Sequence, residues 1–264
     1  VRRTAIQAVG KLEGESAVPL LVNALTRSSS AEETKEIQLA LASLQGADKT
    51  DQALCAALGQ AAAKDKPSLM TTLARRGSAS AVSSLLGYAC GDDKDLAHAA
   101  MQALTRLADG GDAAALAALQ QALASDDAAV RNAALRTLTA WRGSAAWDSL
   151  VGALKDPKSE GGRTLALRGL VRLAGEGNAK PDAALIGRYR QLLEVARDDG
   201  ERKLILNTLA GASHPDALAL ALPLLDVPGV REEAVQTVKR IAEAIQKKHP
   251  KAAEEAFAKI KGLG

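Results

Sequence analysis

Aromatic side chains are almost missing: two Trp, two Tyr and one Phe in 264 residues, 2% of the chain. Hydrophobic residues still reach 47%, so burial must come from Ala, Leu and Val on closely approaching helices. Cysteine is nearly absent too, and Cys55 and Cys90 show neither CxxC nor CxxCH spacing, which leaves metal, haem and redox-motif chemistry without support. Each stands among small apolar residues, so a buried thiol acting as a small hydrophobe is expected, with a disulfide left open. His98, His214 and His249 lack a metal-ligand companion at helical spacing. There is no GxSxG, phosphate-binding glycine loop, HExxH or EF-hand signature, and no cofactor motif. No run of about 18 apolar residues offers a membrane-spanning helix.

Charge of one sign is also lacking. The net +3 comes from 34 basic and 31 acidic residues, too balanced to demand nucleic acid or an anionic membrane as partner. Residues 1–125 hold 12 Lys/Arg against 13 Asp/Glu, and residues 126–264 hold 22 against 18. This mild excess reads first as charge on solvated helix faces.

What the chain does have is a period. Gly14, Gly46, Gly77, Gly110, Gly143, Gly175 and Gly211 recur at intervals of 32, 31, 33, 33, 32 and 36 residues. Most close an apolar phrase such as Leu41-x-x-Leu44-x-Gly46 or Leu170-x-x-Leu173-x-Gly175, so each is expected to supply a left-handed helix cap. A second marker stands 13 residues upstream: Val1-Arg2-x-x-Ala5, Val130-Arg131-x-x-Ala134 and the degenerate Gly162-Arg163-x-x-Ala166, with Val230-Arg231-x-x-Ala234 in the last unit. Apolar residues between the markers fall at helical spacing, which makes this the second helix of each unit.

A first helix precedes it, as in Ala114-Ala115-Leu116-x-x-Leu119-x-x-Ala122-Leu123. Pro19 suits a first turn, whereas Pro223 should kink its helix. The pattern predicts a lone second helix at about 1–13, then pairs at 16–45, 49–76, 78–109, 112–142, 144–174, 181–210 and 214–248. A helix at about 250–261, within a capping segment 250–264, closes the series. Gly175 to Pro181 is the longest irregular connection and the first place to look for a hinge. Because the chain opens on Val1-Arg2-Arg3 inside a repeat and without an initiator Met, a native start further upstream is expected.

Helix pairs of this length, an Asp-containing turn and Val-Arg-x-x-Ala opening the second helix resemble HEAT repeats, especially the short bacterial, PBS-lyase-like type. The resemblance covers nearly the whole chain and implies an all-α, right-handed α-solenoid of about seven helix pairs, with second helices on the concave side. It also implies a structural ladder of turn Asp and helix-opening Arg. Matching positions are Asp126 or Asp127 with Arg131, Asp226 with Arg231 and, less regularly, Asp156 with Arg163. A cation in a first helical turn opposes the macrodipole and needs such a compensating partner.

The resemblance implies a non-catalytic scaffold for a protein or peptide, or support for a neighbouring domain. Two enzyme alternatives come from related proteins: excision of alkylated DNA bases by Trp, Arg and Asp in a groove, and bilin attachment. Trp141 and Trp147, with Arg142 and Asp148, invite the first, but Trp141 shares the core register of Leu12, Leu44 and Leu173. The nearest thing to a binding patch is a basic stripe on second helices: Arg136, Arg168 and Arg172, then Arg202, Lys203, Lys239 and Arg240.

Overall fold

The computed structural model describes residues 14–156 and 160–263, together with Val9. The lone helix expected before Gly14, including Arg2, and the turn at 157–159 therefore lie outside the described residues. Among those described there are fifteen α-helices, two 3-10 segments and no strand.

Two compact units, Val1–Ser149 and Leu150–Gly264, divide the chain. In the first, helix pairs follow one another as α1 (Gly14–Thr26) with α2 (Ala31–Ser43), α3 (Ala47–Gln60) with α4 (Lys66–Arg76), α5 (Ala81–Ala89) with α6 (Lys94–Gly110), and α7 (Ala113–Ala122) with α8 (Ala128–Thr139). First helices pack on first helices (α1 on α3, α3 on α5, α5 on α7) and second on second (α2 on α4, α4 on α6, α6 on α8). Each pair thus buries its apolar face against its neighbours, as stacked repeats require.

Helix α9 (Trp147–Lys155) leads into the second unit, which continues with α10 (Glu160–Gly177), α11 (Ala183–Val195), α12 (Asp199–Leu209), α13 (Pro215–Ala221), α14 (Arg231–Ile245) and α15 (Pro250–Lys261). There α10 packs on α12, α12 on α14, α11 on α13, and α15 on α14. The core is aliphatic, as the composition demands: Leu41, Leu58, Leu104, Leu138, Leu170, Leu206 and Ile241 are all fully buried.

The repeat glycines divide by role. Gly77, with φ of 70°, is the left-handed cap that ends α4, as expected, whereas Gly46, with φ of 77°, stands beyond the extended Leu44 that ends α2 and immediately precedes α3. Beyond α6 the left-handed residue is Gly111, not Gly110, because α6 runs one residue further than the phrase suggests. Gly175 is no cap, since it lies inside α10, where an added methyl would meet Thr208 Cγ2 at 3.0 Å. Gly211 likewise gives room to Asn178, whose Nδ2 a methyl would approach to 2.9 Å. These two positions need glycine for close approach between elements, not for backbone conformation.

Asn178 also changes the reading of the long connection. Its amide donates to Thr208 O at 2.7 Å, and its carbonyl accepts from the buried Tyr189 hydroxyl at 2.8 Å. Burial first, opposed by that hydrogen bond, pushes the Tyr189 hydroxyl up to about 12. The connection is pinned to α11 and α12, which argues against a hinge. Pro223 breaks its helix as expected: α13 stops at Ala221 and a 3-10 segment, Leu222–Asp226, takes over. Pro19 instead sits inside α1 on its exposed side, where solvent serves the carbonyl left without a donor.

Glycines within α9 and α11 have no structural task. A methyl at Gly152 or Gly187 would meet nothing within 4 Å, and neither has a positive φ. Helix-interior glycine costs roughly 0.5–1 kcal/mol relative to alanine. Gly152→Ala and Gly187→Ala are each expected to raise stability by about that amount in urea denaturation; a lower midpoint for either would contradict the packing described.

Candidate functional site

The helix-opening arginines use main-chain carbonyls. Arg131 Nη1 donates to Ser125 O at 2.7 Å and Asp126 O at 2.8 Å, and Arg231 Nε donates to Leu225 O at 2.9 Å. Each cation serves carbonyls just past the preceding first helix, where the macrodipole is negative and backbone acceptors are unpaired. Asp127, expected to face Arg131, caps α8 by accepting from Ala129 N at 2.8 Å, while Asp126 and Asp226 are exposed. The turn carboxylates are thus not the partners of Arg131 and Arg231: the carbonyls satisfy the guanidinium, leaving Asp127 free to cap.

Arg163 reaches furthest. It donates to Leu154 O at 2.7 Å, to Val195 O at 2.8 Å and, through Nε and Nη2, to both carboxylate oxygens of Glu201 at 2.8 and 2.7 Å. Its side chain is 9% exposed and that of Glu201 14%. Burial raises the Glu201 pKa, but the Arg163 hydrogen bonds and the Arg197 N–H outweigh it and hold the carboxyl below its ordinary value. Asp156 lies exposed at the end of α9, and Arg163 is committed to Glu201 of the next pair. Sequence reasoning missed this partner, because Glu201 lies 38 residues from Arg163 in another repeat.

It also missed the buried clamp of the first unit. Arg76 donates to Asp51 and to Leu41 O, Ala42 O and Leu44 O at 3.1, 3.2 and 2.9 Å. The pair lacks the Val-Arg phrase, so no repeat marker points to it.

The basic stripe is unevenly committed. Arg136 lies in the first unit and the other six residues in the second. Arg172 pairs with Glu176, Arg202 with Asp199 at 3.0 Å and Lys203 with Glu233 at 2.9 Å. The Lys203–Glu233 hydrogen bond is the leading cause that raises the lysine pKa and lowers that of the carboxyl. Arg136, Arg168, Lys239 and Arg240 are exposed and make no ion pair among the described residues.

Other candidates lose their chemistry. Trp141 and Trp147 are 1% and 5% exposed, so neither indole presents a face to a DNA base. Arg142 is drawn to Asp109 at 3.5 Å. His214 caps α13, accepting from Asp216 N at 3.1 Å through Nδ1, and His249 precedes α15. Cys55 and Cys90 are free and only half-buried, less enclosed than expected, and burial is the main cause raising both thiol pKa values, away from nucleophilic thiolate. No group of three or more His, Cys, Asp or Glu among the described residues could hold a metal.

The second-helix face of the first unit also carries a concavity. A groove of about 750 Å³ is lined by Thr71 of α4 and by α6 residues that include His98, Met101, Gln102, Arg106 and Asp109. His98 and Gln102 join through their Nε2 atoms at 2.8 Å.

A family model described as HEAT repeats matches residues 83–171, the stretch spanning most of α5 through the first two-thirds of α10. Residues 83–171 carry HEAT repeats. Solved structures to which the chain is similar include human deoxyhypusine hydroxylase in complex with glycerol, 17% identical, covering 94% of this chain and 97% of that one with a TM-score of 0.31. Another is the complex of CpcE and CpcF of phycocyanin lyase from Nostoc sp. PCC7120, 19% identical, covering 93% and 94% with a TM-score of 0.32. At such TM-scores neither likeness bears on activity. No curated protein matches the chain. Among the described residues no helix is long and apolar enough to cross a membrane.

Proposed function

We propose that the repeats form a non-catalytic scaffold that holds a protein or peptide on its second-helix faces, or supports a neighbouring domain. The observation supporting this reading is that Arg136 and Arg168, at equivalent positions of α8 and α10, are exposed and take no part in the ion pairs of the described residues. Charges without a folding role on a repeated, outward-facing position suit recognition of an anionic surface. Affinity capture from source lysate with wild type and an Arg136→Glu, Arg168→Glu, Arg172→Glu variant tests it. Loss of specific partners is expected, and identical partner lists would remove these arginines from consideration. Base release from alkylated DNA, or bilin transfer to an acceptor protein, would overturn the non-enzymatic reading.

The same reading gives α15 the role of a terminal cap. It buries Ala253 and Ala256 and leaves Lys251, Glu254, Glu255, Lys259 and Lys261 exposed, the asymmetry a last repeat needs. Deleting residues 250–264 uncovers one side of α14 and is expected to lower both the thermal midpoint and solubility; unchanged thermal unfolding would refute the role.

A further inference from the structure

We propose that the groove between α4 and α6 receives an acidic peptide segment of a partner protein, with a carboxylate of that segment paired to Arg106 and an adjacent apolar side chain resting on Met101. The proposal rests on the scaffold reading and gives it a location and a chemistry. Arg106 is exposed on the groove and makes no ion pair among the described residues. The lining carboxylate, Asp109, faces Arg142 at 3.5 Å in an exposed pair, whereas Arg106 has no such partner among the described residues.

The neutral groups add donors to that cation. Gln102 Nε2 can only donate, so the bond to His98 Nε2 makes His98 the acceptor and places the imidazole proton on Nδ1. The His98 Nδ1–H and the second amide proton of Gln102 are not used in that bond. The Thr71 and Thr105 hydroxyl protons are spent on Pro67 O and Met101 O, each at 2.9 Å. Half-buried Met101 and buried Ala103 supply an apolar, deformable floor.

A volume of about 750 Å³ suits several side chains better than a single small anion. A nucleic-acid strand would need cations along successive phosphates and aromatic platforms for its bases. The lining holds one arginine and no Trp, Tyr or Phe.

The test begins with selection from a random twelve-residue peptide display library on the immobilised full chain. Enriched peptides are then titrated by fluorescence anisotropy against wild type, Arg106→Glu, Arg106→Lys and Arg168→Glu. Expected are sequences pairing Asp or Glu with an apolar neighbour, a loss of about tenfold or more in Arg106→Glu, near-wild-type binding in Arg106→Lys, and severalfold weakening at high salt. Arg106 is exposed, so unchanged thermal midpoints are expected and separate lost binding from lost folding.

Enrichment of neutral or basic peptides, or no enrichment, overturns the proposal. So does a twelve-nucleotide single strand that binds more tightly than the peptides in an Arg106-dependent way. Acidic peptides sensitive to Arg168→Glu but not to Arg106→Glu overturn the groove assignment while leaving the scaffold reading in place. That reading falls separately, through the capture experiment.

Discussion

Arg163→Ala is expected to destabilise the second unit by about 3 kcal/mol, the loss typical when one partner of a buried ion pair is removed. Four hydrogen bonds disappear together: those to Leu154 O and Val195 O and both bonds to Glu201. The Glu201 carboxylate keeps only the Arg197 N–H at 2.7 Å and the Asp198-capped helix start around it. Glu201→Gln, which keeps the shape and one acceptor, should cost less. Denaturation must be followed with probes in both units, since two compact units can unfold in separate steps.

The pH dependence has a definite sign. The folded-state pKa of Glu201 lies below its ordinary value, so its contribution is fully present above the unfolded carboxyl pKa of about 4.3 and is lost as pH falls through the lower folded value. The gap between wild type and Arg163→Ala should therefore narrow below about pH 4. A gap that persists unchanged in acid would show that the carbonyl bonds, and not the ion pair, carry the effect.

The second large effect is expected at Arg76→Leu, about 3–4 kcal/mol in the first unit. The aliphatic replacement retains much of the buried volume, so the loss reports polar contacts. Asp51 is left as a carboxylate with a side chain 12% exposed, and three carbonyls in and just past the last turn of α2 lose their donor. A double-mutant cycle with Asp51→Asn separates the two parts. If most of the loss survives in the Asp51→Asn background, Arg76 acts chiefly as a helix C-cap. A loss below about 1 kcal/mol would place this pair with ordinary surface bridges.

The architecture was legible because two recurring signals, glycine at helix ends and the Val-Arg phrase at helix starts, mark boundaries in several repeats. Their chemistry was less legible. Gly46 and Gly175 look alike in sequence, yet one turns the chain and the other makes room for Thr208, a distinction set by the neighbouring repeat. The arginines show the same limit. Arg131 and Arg231 satisfy themselves within a few residues, whereas the choice of Glu201 by Arg163 depends on where the next pair of helices lands. In the basic stripe, Lys203 is tied to Glu233 in a neighbouring helix, and period alone could not show it. The groove was hidden for another reason: its side chains are unremarkable singly, and only the placement of α4 beside α6 makes them converge.

Unequal pinning of successive repeats gives the first unit an order of local opening. Its first two pairs are joined by Arg76 and by Gln38 donating to Ser68 O at 3.4 Å. Between α6 and the segment just past α8, the Arg142 N–H donates to Ala108 O at 3.5 Å and the Arg142–Asp109 pair is exposed. Fluctuations that expose amides to exchange begin where few bonds must break together. Deuterium uptake in this unit should then be earliest in α7 and α8, so a partner resting on α8 at Arg136 would be read out as slowed exchange there.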